Sequence, residues 1–76
     1  MKSLLMIEPG ASVRIADIAG GEGARRRLFS LGLHIGDRIE IVSVGILSGP
    51  VLVRLAGSGV AIAIGRGIAQ KILVQP

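Results

Sequence analysis

The feature that most restricts this chain is the kind of core it can build. Eleven Ile, seven Val and nine Leu stand against one Phe and no Trp or Tyr. The core must therefore be aliphatic, and the β-branched majority of these side chains favours strands. Twelve Gly and three Pro within 76 residues mark many tight turns. This combination predicts a compact sheet with short connections. It argues against a helical bundle, a coiled coil or a disordered tail. The length suits a single domain, residues 1–76. A domain this small buries only about 60% of its unfolded surface. With no Cys for a disulfide or a thiolate metal site, stability has to come from dense aliphatic packing, with oligomerisation as the other available route.

Local patterns divide the chain. Pro9-Gly10 signals a turn before Ser12 to Ile18, where Val13 and Ile15 alternate with Arg14 and Ala16 as in a strand. Gly20-Gly21-Glu22-Gly23 interrupts it. Ala24, Leu28 and Leu31 then recur at helical spacing, which predicts a helix over 24–31 with those three on its inner face. Gly32 comes next, where a left-handed cap is wanted, and Leu28 and Leu33 stand where a Schellman motif closes with an apolar contact. Arg38 to Val44 reads as a second strand whose phase slips near Val42-Ser43, the mark of a bulge. Val51 to Leu55 reads as a third, and Val60 to Ile64 as a fourth with Val60, Ile62 and Ile64 sharing a face. Gly65 to Gln70 reads as one helical turn and Lys71 to Val74 as a last strand. The expected fold is all-β with small helical insertions: a partly open five-stranded barrel with one helix after the first strand. Bending the sheet in this way limits the unpaired edge a small sheet exposes.

The inventory leaves little for catalysis. There is one His, two Asp and three Glu, with no Cys, Tyr, Thr or Asn, so an enzyme is not expected. The two glycine-rich segments, Gly20 to Gly23 and Gly65-Arg66-Gly67, lack the Lys-Ser/Thr of a P-loop and the third Gly of a dinucleotide fingerprint. They read as turns. His34 has Asp37 three residues on, too few ligands for a closed transition-metal site. No metal ligands are assigned. A weak divalent-metal site shared across a symmetric homo-oligomer stays open, because symmetry doubles the ligands.

The net charge is +4, which raises nucleic acid and anionic surfaces as partners. Only Arg25-Arg26-Arg27 is a cluster, and at about 100° per residue its side chains fan around a helix. Single-stranded RNA binding calls for aromatic stacking platforms, and Phe29 is the only aromatic. The longest charge-free run, Ile41 to Val53, has 13 residues and contains Ser48-Gly49-Pro50. A spanning helix needs roughly 20, and the N-terminal apolar run, Leu4 to Ile7, is too short for a secretory signal. The expected location is the cytoplasm. In the loop Gly45 to Pro50, Ile46 and Leu47 have two readings, a contact surface or a tuck into the barrel end.

An ordered set of residues resembles the FeoA family, small cytoplasmic proteins associated with the ferrous-iron transporter FeoB. The set comprises Pro9-Gly10, Ile18-Ala19-Gly20-Gly21, Arg27-Leu28, Leu31-Gly32-Leu33, Gly36-Asp37, Ser48-Gly49-Pro50-Val51, and Ala69 with Ile72 and Val74. It runs from about Leu4 to Val74. The resemblance implies an SH3-like barrel with a helix after the first strand. It extends to the C-terminal barrel of iron-dependent repressors, without their DNA-binding helices. Family members often carry an acid before the alanine aligned with Ala69; here it is Ile68, so any metal ligation by that acid is not carried over.

The resemblance implies a non-enzymatic accessory or regulatory protein of ferrous iron uptake, with the cytoplasmic part of FeoB as its partner. The alternative is a basic small-barrel nucleic-acid-binding module or a free-standing repressor-type domain. The expected contact surface lies at the C-terminal end of the helix, where Arg26, Arg27 and Ser30 point outward and Leu33 and His34 lie just beyond the cap. The loop of Ser48 with Gly49 and Pro50 is its expected neighbour. Arginines mixed with small apolar groups are common at protein contacts.

Overall fold

The computed structural model describes residues 1–45 and 49–76. The expectations for Ile46, Leu47 and Ser48 therefore lie outside the described residues. The chain runs through strand β1 (Lys2–Ser3), one 3-10 turn (Leu4–Met6), β2 (Ser12–Ile18), helix α1 (Gly21–Ser30), β3 (Arg38–Val44), β4 (Val51–Leu55), β5 (Ala61–Ile64), helix α2 (Arg66–Ala69) and β6 (Ile72–Gln75). The strands form one antiparallel sheet in the order β1-β6-β2-β3-β4-β5. The sheet with short connections expected from the aliphatic and glycine content is found, and so is the SH3-like form that the resemblance implies.

The described residues form six strands, not five. The addition is β1, two residues that pair with β6 through Lys2↔Val74 and Ser3↔Leu73. A two-residue strand carries no alternation, and it exists because β6 offers it an edge. With β1 counted, the helix comes after the second strand. The expected slip in β3 is present: register shifts between Ile41 and Ser43 against β4. A second shift, between Ile15 and Asp17 against β6, bends β2. Each bulge raises local twist, which lets so short a sheet curl around one core.

That core is wholly aliphatic. Ile15, Ile39, Ile41, Val51, Val53, Ile64 and Ile72 come from the sheet, and each is 0% exposed. No described polar or charged residue is buried. Val60, expected inward, is 53% exposed, because β5 begins one residue later at Ala61 and Val60 belongs to the turn. Ile62 is half-buried against the core rather than inside it.

Candidate functional site

Helix α1 begins at Gly21, three residues before the expected start, with Gly20 at φ +94° as its N-cap. Glycines are poor helix formers, so the first turn is held by the anchoring of Ala24 and Leu28, four residues apart and both buried against the sheet. The C-terminus closes as the sequence implies. Gly32 takes φ +88°. Its N–H donates to the Phe29 carbonyl at 3.0 Å, and the Leu33 N–H donates to the Leu28 carbonyl at 3.0 Å. This is the Schellman pair of bonds.

The motif exchanges the roles of two leucines. Leu31, expected inside, is 38% exposed, and Leu33, expected on the contact surface, is 1% exposed. The left-handed residue at Gly32 reverses the chain, and the next side chain drops onto Leu28 under the helix end. Leu33 is thus a core residue and is withdrawn from the surface.

Arg26, Arg27, Ser30 and His34 are all exposed. Arg26 pairs with Glu22 one turn earlier at 3.8 Å, both side chains largely in solvent. Such a pair is weak and salt-screened. Arg25 reaches Asp17 on β2 at 3.5 Å. Arg27 makes no ion pair among the described residues. The Ser30 hydroxyl donates back to the Arg27 carbonyl at 2.7 Å. Asp37 Oδ2 accepts from the His34 backbone N–H at 2.8 Å and lies 3.3 Å from His34 Nδ1. One carboxylate therefore ties down both the loop after the cap and the imidazole.

The surface also holds residues that the sequence reading passed over. Phe29 is 68% exposed and Ile35 53%. The Phe29 ring meets His34 edge-on, with centroids 5.0 Å apart and planes at 84°. Leu31 completes an exposed apolar group beside the arginines. The missed signal was positional: Phe29 lies three residues after Arg26 and one after buried Leu28, on the outer face of the helix. A lone aromatic held in water beside a pinned histidine fits a contact residue better than a packing one.

Gly49 and Pro50 are elsewhere. The helix end leads into Arg38, whereas Gly49 and Pro50 precede Val51, which pairs with Val44 at the far end of β3. From Ile39 to Val44 the strand runs for about 16 Å at 3.3 Å per residue. The neighbour of the helix end is instead the β4–β5 hairpin. The Ala56 N–H donates to the Arg38 carbonyl at 3.0 Å. A groove of about 320 Å³ runs between Gly32, His34, Asp37 and Arg38 on one side and Leu55 to Ser58 on the other. A larger groove, about 560 Å³, lies between the N-terminal segment and β6 and includes Met1, Met6, Ile7 and Val74 in its lining.

Neither groove contains a nucleophile hydrogen-bonded to a base. Among the described residues, no three His, Asp or Glu side chains converge on a point that could hold a metal ion. No helix among them is long and apolar enough to cross a membrane. One small, mostly-β domain of SH3-like form, with an exposed helix end that carries an aromatic and arginines, is the class the fold defines. The FeoA domain family model matches residues 2–76. The chain belongs to the FeoA family.

The relatives agree. A protein of Methanocaldococcus jannaschii named Fe(2+) transport protein A is 39% identical over 75 residues, covering 99% of this chain and 87% of that protein. The crystal structure of an iron uptake regulatory protein, FeoA, superposes with a TM-score of 0.82 at 33% identity, covering 97% of this chain and 93% of that one. A manganese-dependent transcriptional repressor solved with manganese gives a TM-score of 0.87 at 23% identity. That match spans 35% of the repressor chain and shows a shared fold alone.

Proposed function

We propose that this chain is a non-enzymatic accessory protein of ferrous iron uptake, working in the cytoplasm by binding the cytoplasmic part of an FeoB-type transporter. The observation that carries the reading is the exposed group at the end of α1. Phe29 and Leu31 follow Arg26 and Arg27 by three and four residues, one helical turn, and are exposed, as is Ile35 in the loop after the cap, with His34 and that loop pinned by Asp37. Aromatic and arginine side chains are the types enriched at protein interfaces. Membership of the FeoA family and the names of the relatives supply the process. A nucleic-acid interface finds less support, since Phe29 is the sole aromatic platform.

The test is ferrous iron uptake in cells that depend on this protein. Replacing Arg26 and Arg27 together with Ser, or Phe29 with Ala, should lower uptake. The protein should stay folded, because exposed side chains rarely cost more than about 0.5 kcal/mol. Normal uptake by a cell whose only copy is the folded Arg26→Ser/Arg27→Ser/Phe29→Ala variant would defeat the proposal.

A further inference from the structure

The two edges of the sheet are not alike. At one edge β1 is two residues long, carries Lys2 and turns at once into a 3-10 helix. Short length and charge are the usual ways of protecting an edge strand. At the other edge β5 has no such device. Val60 to Ile64 contains no charge, no proline and no bulge against β4, in a chain of net charge +4.

The hydrogen-bond phase shows what that edge offers. The Leu55 N–H donates to the Val60 carbonyl at 2.9 Å, and the Ala56 N–H donates to Arg38 on the other side. Alternation along the paired strands then turns the backbone groups of Ile62 and Ile64 toward Val53 and Val51. The N–H and C=O groups of Ala61 and Ala63 point away from the sheet. Both alanines are exposed, and their methyl groups leave the edge open to another backbone. Among the described residues nothing pairs with that side of β5.

We propose that a second copy of this chain docks there, β5 against β5, antiparallel about a two-fold axis at Ile62. The sequence of the edge argues for a copy rather than a foreign strand. Ala61-Ile62-Ala63 reads the same in both directions. The axis sets Ala61 of each copy opposite Ala63 of the other, where they exchange both backbone bonds, and sets the two Ile62 side chains against each other. A two-fold sets each position of the strand against its symmetry-related position in the other copy, and with no charge from Val60 to Ile64 that meeting carries no like-charge repulsion within the strand. The two sheets become one, and the open edge is removed from both.

Sedimentation equilibrium and hydrogen exchange test this. The wild type should sediment as a dimer, and its Ala61 and Ala63 amides should become protected as protein concentration rises. Ala61→Lys/Ala63→Lys places ammonium groups opposite one another and should halve the sedimenting mass while leaving the circular dichroism spectrum unchanged. Ala61→Glu/Ala63→Lys places opposite charges across the same axis and should restore the dimer. A wild type that stays monomeric, concentration-independent exchange at Ala61 and Ala63, or a double-lysine variant that still dimerises would each overturn the proposal. So would a folded charge-swapped variant that stays monomeric.

Discussion

The same substitution, Gly→Ala, should have opposite signs at two glycines, one inside α1 and one just past its end. Gly23 lies within the helix with no positive φ, and a Cβ built there meets nothing within 4 Å. Alanine fits that backbone and reduces the freedom of the unfolded chain, so Gly23→Ala should stabilise by about 0.5 kcal/mol or slightly more. Gly32 also has open space around its Cβ, but its φ is +88°. Steric clash with a neighbour therefore contributes nothing there, and the whole cost is conformational, about 1–2 kcal/mol for an L residue held left-handed. The backbone cannot relax cheaply, because the Gly32 and Leu33 N–H groups donate to Phe29 and Leu28 and hold buried Leu33 in place. In a domain of this size 1 kcal/mol moves the melting temperature by roughly 4–8 °C. Calorimetry should thus place Gly23→Ala above the wild type and Gly32→Ala below it, with a gap of roughly 10 °C between them. Asn tolerates the left-handed region, so Gly32→Asn should fall between the wild type and Gly32→Ala, and Gly32→Val, being β-branched, below both. Gly23→Ala and Gly32→Ala shifting in the same direction, or Gly32→Val melting with Gly32→Asn, would refute the cap argument.

Within β5, Ile64 is 0% exposed and Ile62 is only half-buried. Ile64→Ala should cost about 4 kcal/mol and Ile62→Ala about 2 kcal/mol; urea midpoints in the reverse order would show that the strand is registered differently. The His34–Asp37 pair supplies two ligand groups and, among the described residues, no third. Calorimetric titration of the monomeric Ala61→Lys/Ala63→Lys variant with ferrous or zinc ion should show no submicromolar binding, and Asp37→Ala should lower stability by about 1 kcal/mol through the lost bond to the His34 N–H.

Residue order alone was enough wherever short-range chemistry is in control. Alternation placed β2 at Ser12–Ile18, β3 at Arg38–Val44 and β4 at Val51–Leu55. The Val42-Ser43 slip marked the bulge, and the order Leu28, Gly32, Leu33 specified the Schellman cap, because that motif lies within six residues. Features that depend on a distant partner emerged only on folding. Lys2–Ser3 is a strand because β6 lies beside it. Gly21 and Gly23 wind into the start of α1 because Ala24 and Leu28 are fastened to the sheet behind them. Leu31 and Leu33 exchange places because the reversal at Gly32 changes which face meets the core, a turn that helical periodicity cannot follow. The candidate surface divides in the same way. Arg26, Arg27 and Ser30 could be placed outward from helix geometry alone, whereas His34 and Leu33 lie beyond the cap, where helix geometry does not reach. The remoteness of Gly49 and Pro50 was set by the pairing of β3 with β4, and the company of the β4–β5 hairpin by the same register. A strand's neighbours are fixed by hydrogen bonds between segments far apart in the chain, and no local pattern of residues records them.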